Sequence, residues 1–278
     1  MAATMTGRLQ DKVAVITGAS RGLGRYCALA YGAEGATVVV AARTETETNP
    51  NLPGTIHETV REIEAAGGKA FAVTCNVADA ESIEAMTRTV VDRYGRIDVL
   101  MTNAAIQTPG FITDMQPKHW ELEFRVNVHG TFHCIRSALP TMLEHGSGNI
   151  ITISSIAAHN GGSHYGATKR AVESMSIGLA NELRDKGIAV NCLRPVAAIE
   201  TPGLMFGRSL GSRSGQAFSQ LAGPESYVEA AVLLATQTIE TCTGAVMTDA
   251  ETVHRFDRQA FERFKAANPP SWSEGIAN

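Results

Sequence analysis

The stretch Lys12-Val13-Ala14-Val15-Ile16-Thr17-Gly18-Ala19-Ser20-Arg21-Gly22-Leu23-Gly24 decides the fold. An apolar, β-branched run passes without interruption into a glycine-rich turn, and a run with helical spacing, Arg25 to Glu34, follows at once. Glycine permits a tight turn and close backbone approach, while the unpaired N–H groups at a helix N-terminus point toward an anion. Gly18, Ser20, Arg21, Gly22, Leu23 and Gly24 are therefore candidate dinucleotide-binding positions, in the spacing G-x-x-x-G-x-G. The competing reading is an incidental glycine-rich turn; the place of the motif between a first strand and a first helix favours the phosphate cradle.

Outward from this unit, short β-branched runs recur at Val13-Ile16, Thr37-Ala42, Ala70-Thr74, Val99-Thr102, Asn149-Ser154, Ile188-Cys192 and Gly244-Met247. Helical spacing fills the gaps at Thr55-Ala66, Ser82-Tyr94, Lys118-Leu143, Tyr165-Asp185 and Glu225-Thr236. Parallel strands need crossover connections, so this alternation predicts an α/β fold: one Rossmann-type, doubly wound sheet of seven parallel strands with helices on both faces. No linker divides the chain, and a single domain is expected over 1–278, with a core at about 7–252 and a C-terminal extension at 253–278. Two segments break the rhythm. Thr44 to Gly54 has loop composition and exceeds a usual βα connection. Gly203 to Gly223 is rich in Gly and Ser yet carries Leu204, Met205, Phe206 and Phe218, which suits a substrate lid; a surface excursion is the alternative.

Composition narrows the function classes. The 278 residues are 44% hydrophobic and 19% charged, with a net charge of −4 from interspersed acids and bases. This describes a globular protein without the basic footprint of a nucleic-acid binder. The longest apolar run, Val38 to Ala42, is too short to span a bilayer, and Met1 to Gln10 lacks the pattern of a signal peptide, so a cytoplasmic protein without membrane partners is expected. Cys27, Cys75, Cys134, Cys192 and Cys242 are scattered and odd in number, which predicts reduced, buried thiols and no metal site.

Cofactor choice falls at the end of the second strand, where an acid would bind the adenosine ribose and a base would accept a 2'-phosphate. The strand ends Val40-Ala41-Ala42-Arg43 with no acid, and Arg21 adds a second positive charge, so NADP is favoured over NAD. Asn76, beside Val77, follows the third strand where an amide could meet the adenine edge. Asn103 and Ala104 follow the fourth, placing an amide and a small residue against the cofactor; Asn103 as a plain turn residue is an equal reading.

Tyr165 and Lys169 stand at i and i+4 at the start of a helical stretch, hence on one face. A phenol of ordinary pKa about 10 is a poor base, and a neighbouring ammonium would stabilise its phenolate. Ile150 to Ser155 reads as a buried strand that delivers Ser155 to its C-terminal end, where α/β sheets bind ligands. Ser155 could then hold a substrate oxygen while Tyr165 exchanges its proton. A nucleophilic serine would want a G-x-S-x-G elbow, which is absent.

With these motifs in place the chain resembles the classical short-chain dehydrogenase/reductases from about Gly7 to Thr252. Thr17 to Gly24 matches T-G-x-x-x-G-x-G, Asn103-Ala104-Ala105 the N-N-A-G region, and Tyr165 to Lys169 the Y-x-x-x-K. The resemblance implies Asn127, Ser155, Tyr165 and Lys169 as catalytic residues, with Asn127 holding a water in a proton relay and Lys169 also binding the nicotinamide ribose. It adds Pro195, Ile199 and Thr201 to the cofactor site, and Ile106, Ser155, His159, Leu204, Met205 and Phe206 to the substrate pocket.

Three departures stand out. Asn76 replaces a usual Asp, Tyr165 follows Ser155 by only ten residues, and Pro195-Val196 replaces a usual Pro-Gly. The Thr44 to Gly54 insertion and the Pro195 to Thr201 segment are similar to hydroxysteroid-dehydrogenase-like and citronellol-dehydrogenase-like members. That likeness implies a lipophilic secondary alcohol or ketone as substrate.

Two rivals remain: a 3-oxoacyl-acyl-carrier-protein-type reductase, which would want a basic docking face that Leu143 to Asn149 does not offer, and a non-catalytic dinucleotide-binding sensor. The helices carrying Asn127 and Tyr165 also show apolar residues away from the cofactor face, including Phe132 and Ile177, and within the resemblance such helices pair subunits. A homotetramer is expected, with a dimer as the fallback. Phe256, Phe261, Phe264 and Trp272 lie beyond the family core, either reaching toward a neighbouring subunit or belonging to a solvated tail.

Overall fold

In the computed structural model, which describes residues 7–161, 164–209 and 221–276, the seven expected strands form one sheet. They are β1 (Val13–Thr17), β2 (Thr37–Ala42), β3 (Lys69–Thr74), β4 (Val99–Thr102), β5 (Gly148–Ile153), β6 (Ile188–Arg194) and β7 (Val246–Thr248). Every pairing is parallel, in the order β3-β2-β1-β4-β5-β6-β7. The order reverses between β1 and β4, and a crevice opens there at the carboxyl ends of the strands, where open α/β sheets bind ligands. β1 and β4 are buried along their whole length, which is why they read as continuous apolar runs rather than alternating ones.

Helices α1 (Gly22–Ala33), α2 (Ile56–Ala65) and α3 (Ala80–Tyr94) connect the first four strands. A capping box fixes the start of α2: the Thr55 hydroxyl accepts from Glu58 N, and the Glu58 carboxylate accepts from Thr55 N. One hydrophobic cluster packs α1 and the C-terminal helices against one face of the sheet, and a second packs α3 and its neighbours against the other.

The expected helix Lys118-Leu143 is interrupted. It consists of α4 (Pro117–Phe124), a π-helical turn (Arg125–His129) and α5 (Gly130–His145). The wider turn contains Asn127, and such turns recur where a helix must aim a side chain out of register. α6 (Tyr165–Leu183) begins at the expected tyrosine. Of the 203–223 segment, residues 203–209 belong to a helix, α7 (Pro202–Ser209), while 221–223 are non-helical, with Ala222 bridged to Ile199; Phe218 lies outside the described residues.

The C-terminal region after β7 packs on the helix that precedes it. α8 (Glu225–Ala235) precedes β7, and α9 (Asp249–Phe256) and α10 (Arg258–Ala267) follow it. Phe261 and Trp272 are buried in this chain's own core, their rings 5.4 Å apart. This part of the extension is therefore neither a solvated tail nor an arm toward a neighbour: two large aromatics close in sequence bury more apolar area against α8 and α9 than they would in water.

Candidate active site

The crevice is a cleft of about 620 Å³. One end is the glycine turn. Gly18 has φ +68°, and a Cβ there would stand 2.9 Å from Ala104 Cα. A Cβ on Gly24 would stand 2.5 Å from the Gly18 carbonyl oxygen. Both glycines are thus required by the close approach of backbone to backbone. Asn103 holds this turn: its Nδ2 donates to Thr17 O at 2.9 Å and to Gly18 O at 3.3 Å, while Ala104 N donates to Thr17 Oγ1 at 3.1 Å. The Asn103 amide nitrogen is thus spent on the backbone of the turn itself.

Arg21 leans over the turn and donates from one terminal nitrogen to Gly54 O at 2.9 Å and Thr44 Oγ1 at 3.2 Å. The insertion after β2 is therefore docked onto the glycine turn, with Leu52 in the cleft wall. Arg21 Nε is buried with no hydrogen-bond partner among the described residues. Burial, then the charge of Arg43, lowers the proton affinity of the Arg21 guanidinium. An unpartnered buried donor beside a second arginine is the electrostatic complement of an anion. Arg43, Asn76 and Val77 line the same end.

The cleft also gathers Ser155, Tyr165 and Lys169, with Ile106, Leu204 and Phe206 as apolar wall and Pro195 and Ile199 in its lining, while Thr201 packs against Gly22 of the glycine turn. Ser155 Oγ accepts from Ala157 N at 3.2 Å, which leaves its own proton to donate. Buried Lys169 donates from Nζ to Ile153 O at 2.9 Å and stands 5.5 Å from the centroid of the Tyr165 ring. Burial lowers its ammonium to about 8. The Tyr165 phenol moves opposite to the sequence expectation: burial, then the Glu123 carboxylate, raises it well above its ordinary value.

Three expected residues stand off the cleft wall. Met205 is 44% exposed on the outer side of α7. His159 turns away to Glu173, 3.0 Å from its Oε1, because that buried carboxylate already gathers Ser154 and Arg170. Burial pushes the Glu173 carboxyl up, but the hydrogen bonds from Ser154, Arg170 and His159 outweigh it and hold it below the ordinary range. Asn127 lies behind the wall: it accepts from Ile106 N at 2.9 Å and donates to Ile106 O at 2.8 Å and Thr168 Oγ1 at 3.1 Å.

Sequence reasoning missed Glu123, Thr108 and His164. Glu123 is 0% exposed, and its carboxylate accepts from Thr108 N, from Thr108 Oγ1 at 2.9 Å, and meets His164 Nδ1 at 2.9 Å. A glutamate at a position where the helical pattern wants an apolar residue was the available signal. The five cysteines are buried and free, and no cluster of metal-ligating side chains occurs among the described residues. No helix among them is long and apolar enough to cross a membrane.

A parallel sheet with a glycine cradle at its switch point and a Ser/Tyr/Lys group across the same cleft defines a dinucleotide-dependent oxidoreductase. The family model for short chain dehydrogenases matches residues 12–206, and the chain belongs to that family. It is 38% identical over 187 residues to the 3-oxoacyl-acyl-carrier-protein reductase FabG of Staphylococcus aureus, covering 66% of this chain and 73% of that one. Among solved structures it resembles a hydroxysteroid dehydrogenase from Escherichia coli (27% identity, TM-score 0.72, 87% of this chain and 96% of that one). It also resembles a protein from Beutenbergia cavernae assigned as an NAD(P)-dependent gluconate 5-dehydrogenase, with bound NADP (30% identity, TM-score 0.76, 88% and 97%).

Proposed function

We propose that the chain interconverts a lipophilic secondary alcohol and its ketone in an NAD(P)-dependent reaction, with Tyr165 as the acid/base. The observation that carries this reading is the meeting of Ser155, Tyr165 and Lys169 in one cleft with the glycine cradle. The dinucleotide, when bound, supplies or accepts the hydride. In the reducing direction Ser155 donates a hydrogen bond to the carbonyl oxygen, and Tyr165 gives its proton to the oxygen as negative charge develops there. Burial keeps the phenol protonated at neutrality, as an ordinary phenol already is, and makes it a weaker acid, so the transfer depends on the negative charge that develops on the substrate oxygen. In the oxidising direction the Lys169 ammonium offsets the cost of forming phenolate. Asn127 acts through Ile106 and Thr168, holding wall and helix together while it orders a relay water.

NADP is the favoured cofactor, because the cleft lining includes the cations Arg21 and Arg43 and, among the described residues, no acid, with Glu47 close enough to offset part of the Arg21 charge. Ile106, Leu204 and Phe206 form an apolar substrate wall, the reason for a lipophilic substrate, and the described residues 203–209, on α7, form part of its lid. The protein acts in the cytosol as a homotetramer, with a dimer as the smaller alternative.

A second reading, reduction of a 3-oxoacyl thioester, has its support in the similarity to the carrier-protein reductases. One spectrophotometric experiment separates them: cyclic, terpenoid, steroid and aryl secondary alcohols are assayed beside acetoacetyl-coenzyme A, each with NAD(H) and NADP(H). Turnover of the thioester alone would favour the second reading. Tight dinucleotide binding without turnover of any probe would mark a sensor and end both.

A further inference from the structure

Glu123 and Asn127 lie four residues apart, and each grips the chain after β4 on one side and α6 on the other. Asn127 binds both backbone groups of Ile106 and reaches Thr168; Glu123 binds Thr108 and reaches His164. His164 and Thr168 are themselves four residues apart and bracket the start of the helix that carries Tyr165. The two rungs span the same gap, and the cleft-wall residues Ile106 and Gln107 lie where they meet the chain.

The second rung holds one proton, by count of donors and acceptors. The Gly110 carbonyl, 3.0 Å from His164 Nε2, can only accept, so Nε2 carries hydrogen. Glu123 Oε1 accepts from Thr108 twice. The remaining contact, Oε2 to Nδ1 at 2.9 Å, needs one proton between its two atoms. The pair is therefore neutral as a unit wherever that proton sits, which makes its burial tolerable, with Glu123 at 0% and His164 at 7% exposure. The titratable neighbours are Tyr165, next in sequence to His164, and Asp114, whose carboxylate is engaged by Phe111 N; Lys169 is bound to Ile153 O.

We propose that Glu123 and His164 are positioning residues for the Tyr165 reaction, locking the segment Ile106–Gly110, whose Ile106 and Gln107 line the cleft, to the N-terminus of α6 so that wall and acid/base keep one geometry. This rests on the reading of Tyr165 given above. The glycine cradle lies outside the rung, so its loss should damage substrate handling and spare dinucleotide binding.

The test uses Glu123→Gln, Glu123→Leu and the double variant Glu123→Leu/His164→Leu. A glutamine can accept from Thr108 and donate to a neutral His164, so it keeps every bond without the shared proton. The double variant is apolar on both sides and removes the orphaned histidine, so only Thr108 and the Gly110 carbonyl are left without partners, a smaller cost than the single leucine variant carries. The probes are acetoacetyl-coenzyme A and the secondary alcohol with the highest wild-type kcat/KM, and dinucleotide Kd is measured in parallel. We expect Glu123→Gln within about threefold of wild type, and both leucine variants to lose about tenfold or more in kcat/KM, largely in substrate KM, with dinucleotide Kd unchanged. Folded leucine variants with wild-type kcat/KM would overturn the proposal, as would an equal loss of substrate and dinucleotide binding, or a glutamine variant as impaired as leucine. Tyr165→Phe is run alongside: if it stays active, or if no probe turns over, the reading of Tyr165 fails rather than the rung alone.

Discussion

Lys169 Nζ donates a 2.9 Å hydrogen bond to the carbonyl oxygen of Ile153, the last residue of β5. The ammonium is thereby tied to the strand that delivers Ser155, while its own helix carries Tyr165 one turn earlier. Strand and helix are joined at the point where the proposed proton transfer takes place.

Tyr165→Phe removes the hydroxyl and keeps the ring. Fold and dinucleotide affinity should be unchanged, and kcat should fall by about 100-fold or more, the scale of general acid–base catalysis. Steady-state kinetics with a dinucleotide titration checks both halves, and near-wild-type kcat would refute the role.

The Lys169 ammonium, lowered to about 8, gives stability a definite pH dependence. Below about pH 8 both folded and unfolded chains hold the proton and the full burial cost is present. From there toward the ordinary value of 10.5 the folded state releases its proton first, so this group's cost falls as pH rises. Lys169→Met removes the cost, of up to about 3 kcal/mol, together with the bond to Ile153. The Tm of the variant relative to wild type should therefore be most favourable near pH 7 and decline toward pH 10. A difference that does not change with pH would contradict the burial argument.

The sheet was legible in the sequence because the central β-branched runs, buried on both faces, need no partner to be recognised, and the less buried edge run of β3 was picked out with them by its spacing. The glycine turn and Tyr165/Lys169 were legible because their spacing is itself the chemistry. What escaped depends on contacts between distant segments. Glu123 sits where the helical pattern wants an apolar residue, but only the folded chain shows His164 and Thr108 closing around it, and the break at Arg125–His129 surrounds Asn127. His159 was placed toward the substrate because nothing local announces that Glu173, fourteen residues on, would claim it.

If Arg43 meets a 2'-phosphate, Arg43→Ala should weaken NADP by about 1.5–3 kcal/mol and leave NAD almost untouched. Arg21→Ala should weaken both, because Arg21 also anchors the Thr44–Gly54 segment to the glycine turn through Gly54 and Thr44. Equal losses of the two cofactors in the Arg43 variant would show that it reads no phosphate.

Phe132 on α5 and Ile177 on α6 are 45% and 46% exposed. In the proposed tetramer they are covered. Sedimentation at micromolar concentration should give the tetramer for the wild type, and Phe132→Glu/Ile177→Glu should yield smaller species, since a buried unpaired carboxylate opposes assembly. An active wild-type monomer would exclude the assembly.

Trp272 ties the C-terminal extension to the cleft. Its Nε1 donates at 3.0 Å to Asp249 Oδ2, which also accepts from Ser226 Oγ at 2.7 Å, while Asp249 Oδ1 accepts from Val196 N at 2.7 Å. Val196 follows Pro195, a residue of the cleft wall. Burial raises the Asp249 carboxyl above its ordinary range, so each donor that keeps it ionised matters to this strut. Truncation after Asp257 removes α10 and the buried Phe261 together with Trp272 and its donor. It should cost more than the roughly 3–5 kcal/mol of emptying one large aromatic site, and raise dinucleotide KM more than it lowers kcat, because the Pro195–Ile199 segment loses its brace. Trp272→Phe keeps most of the ring and loses one hydrogen bond to a charged group, so its stability loss should be nearer 1.5–3 kcal/mol. Thermal unfolding and dinucleotide kinetics on the two variants decide the matter: a truncated chain with wild-type Tm and dinucleotide KM would mean that the extension braces nothing.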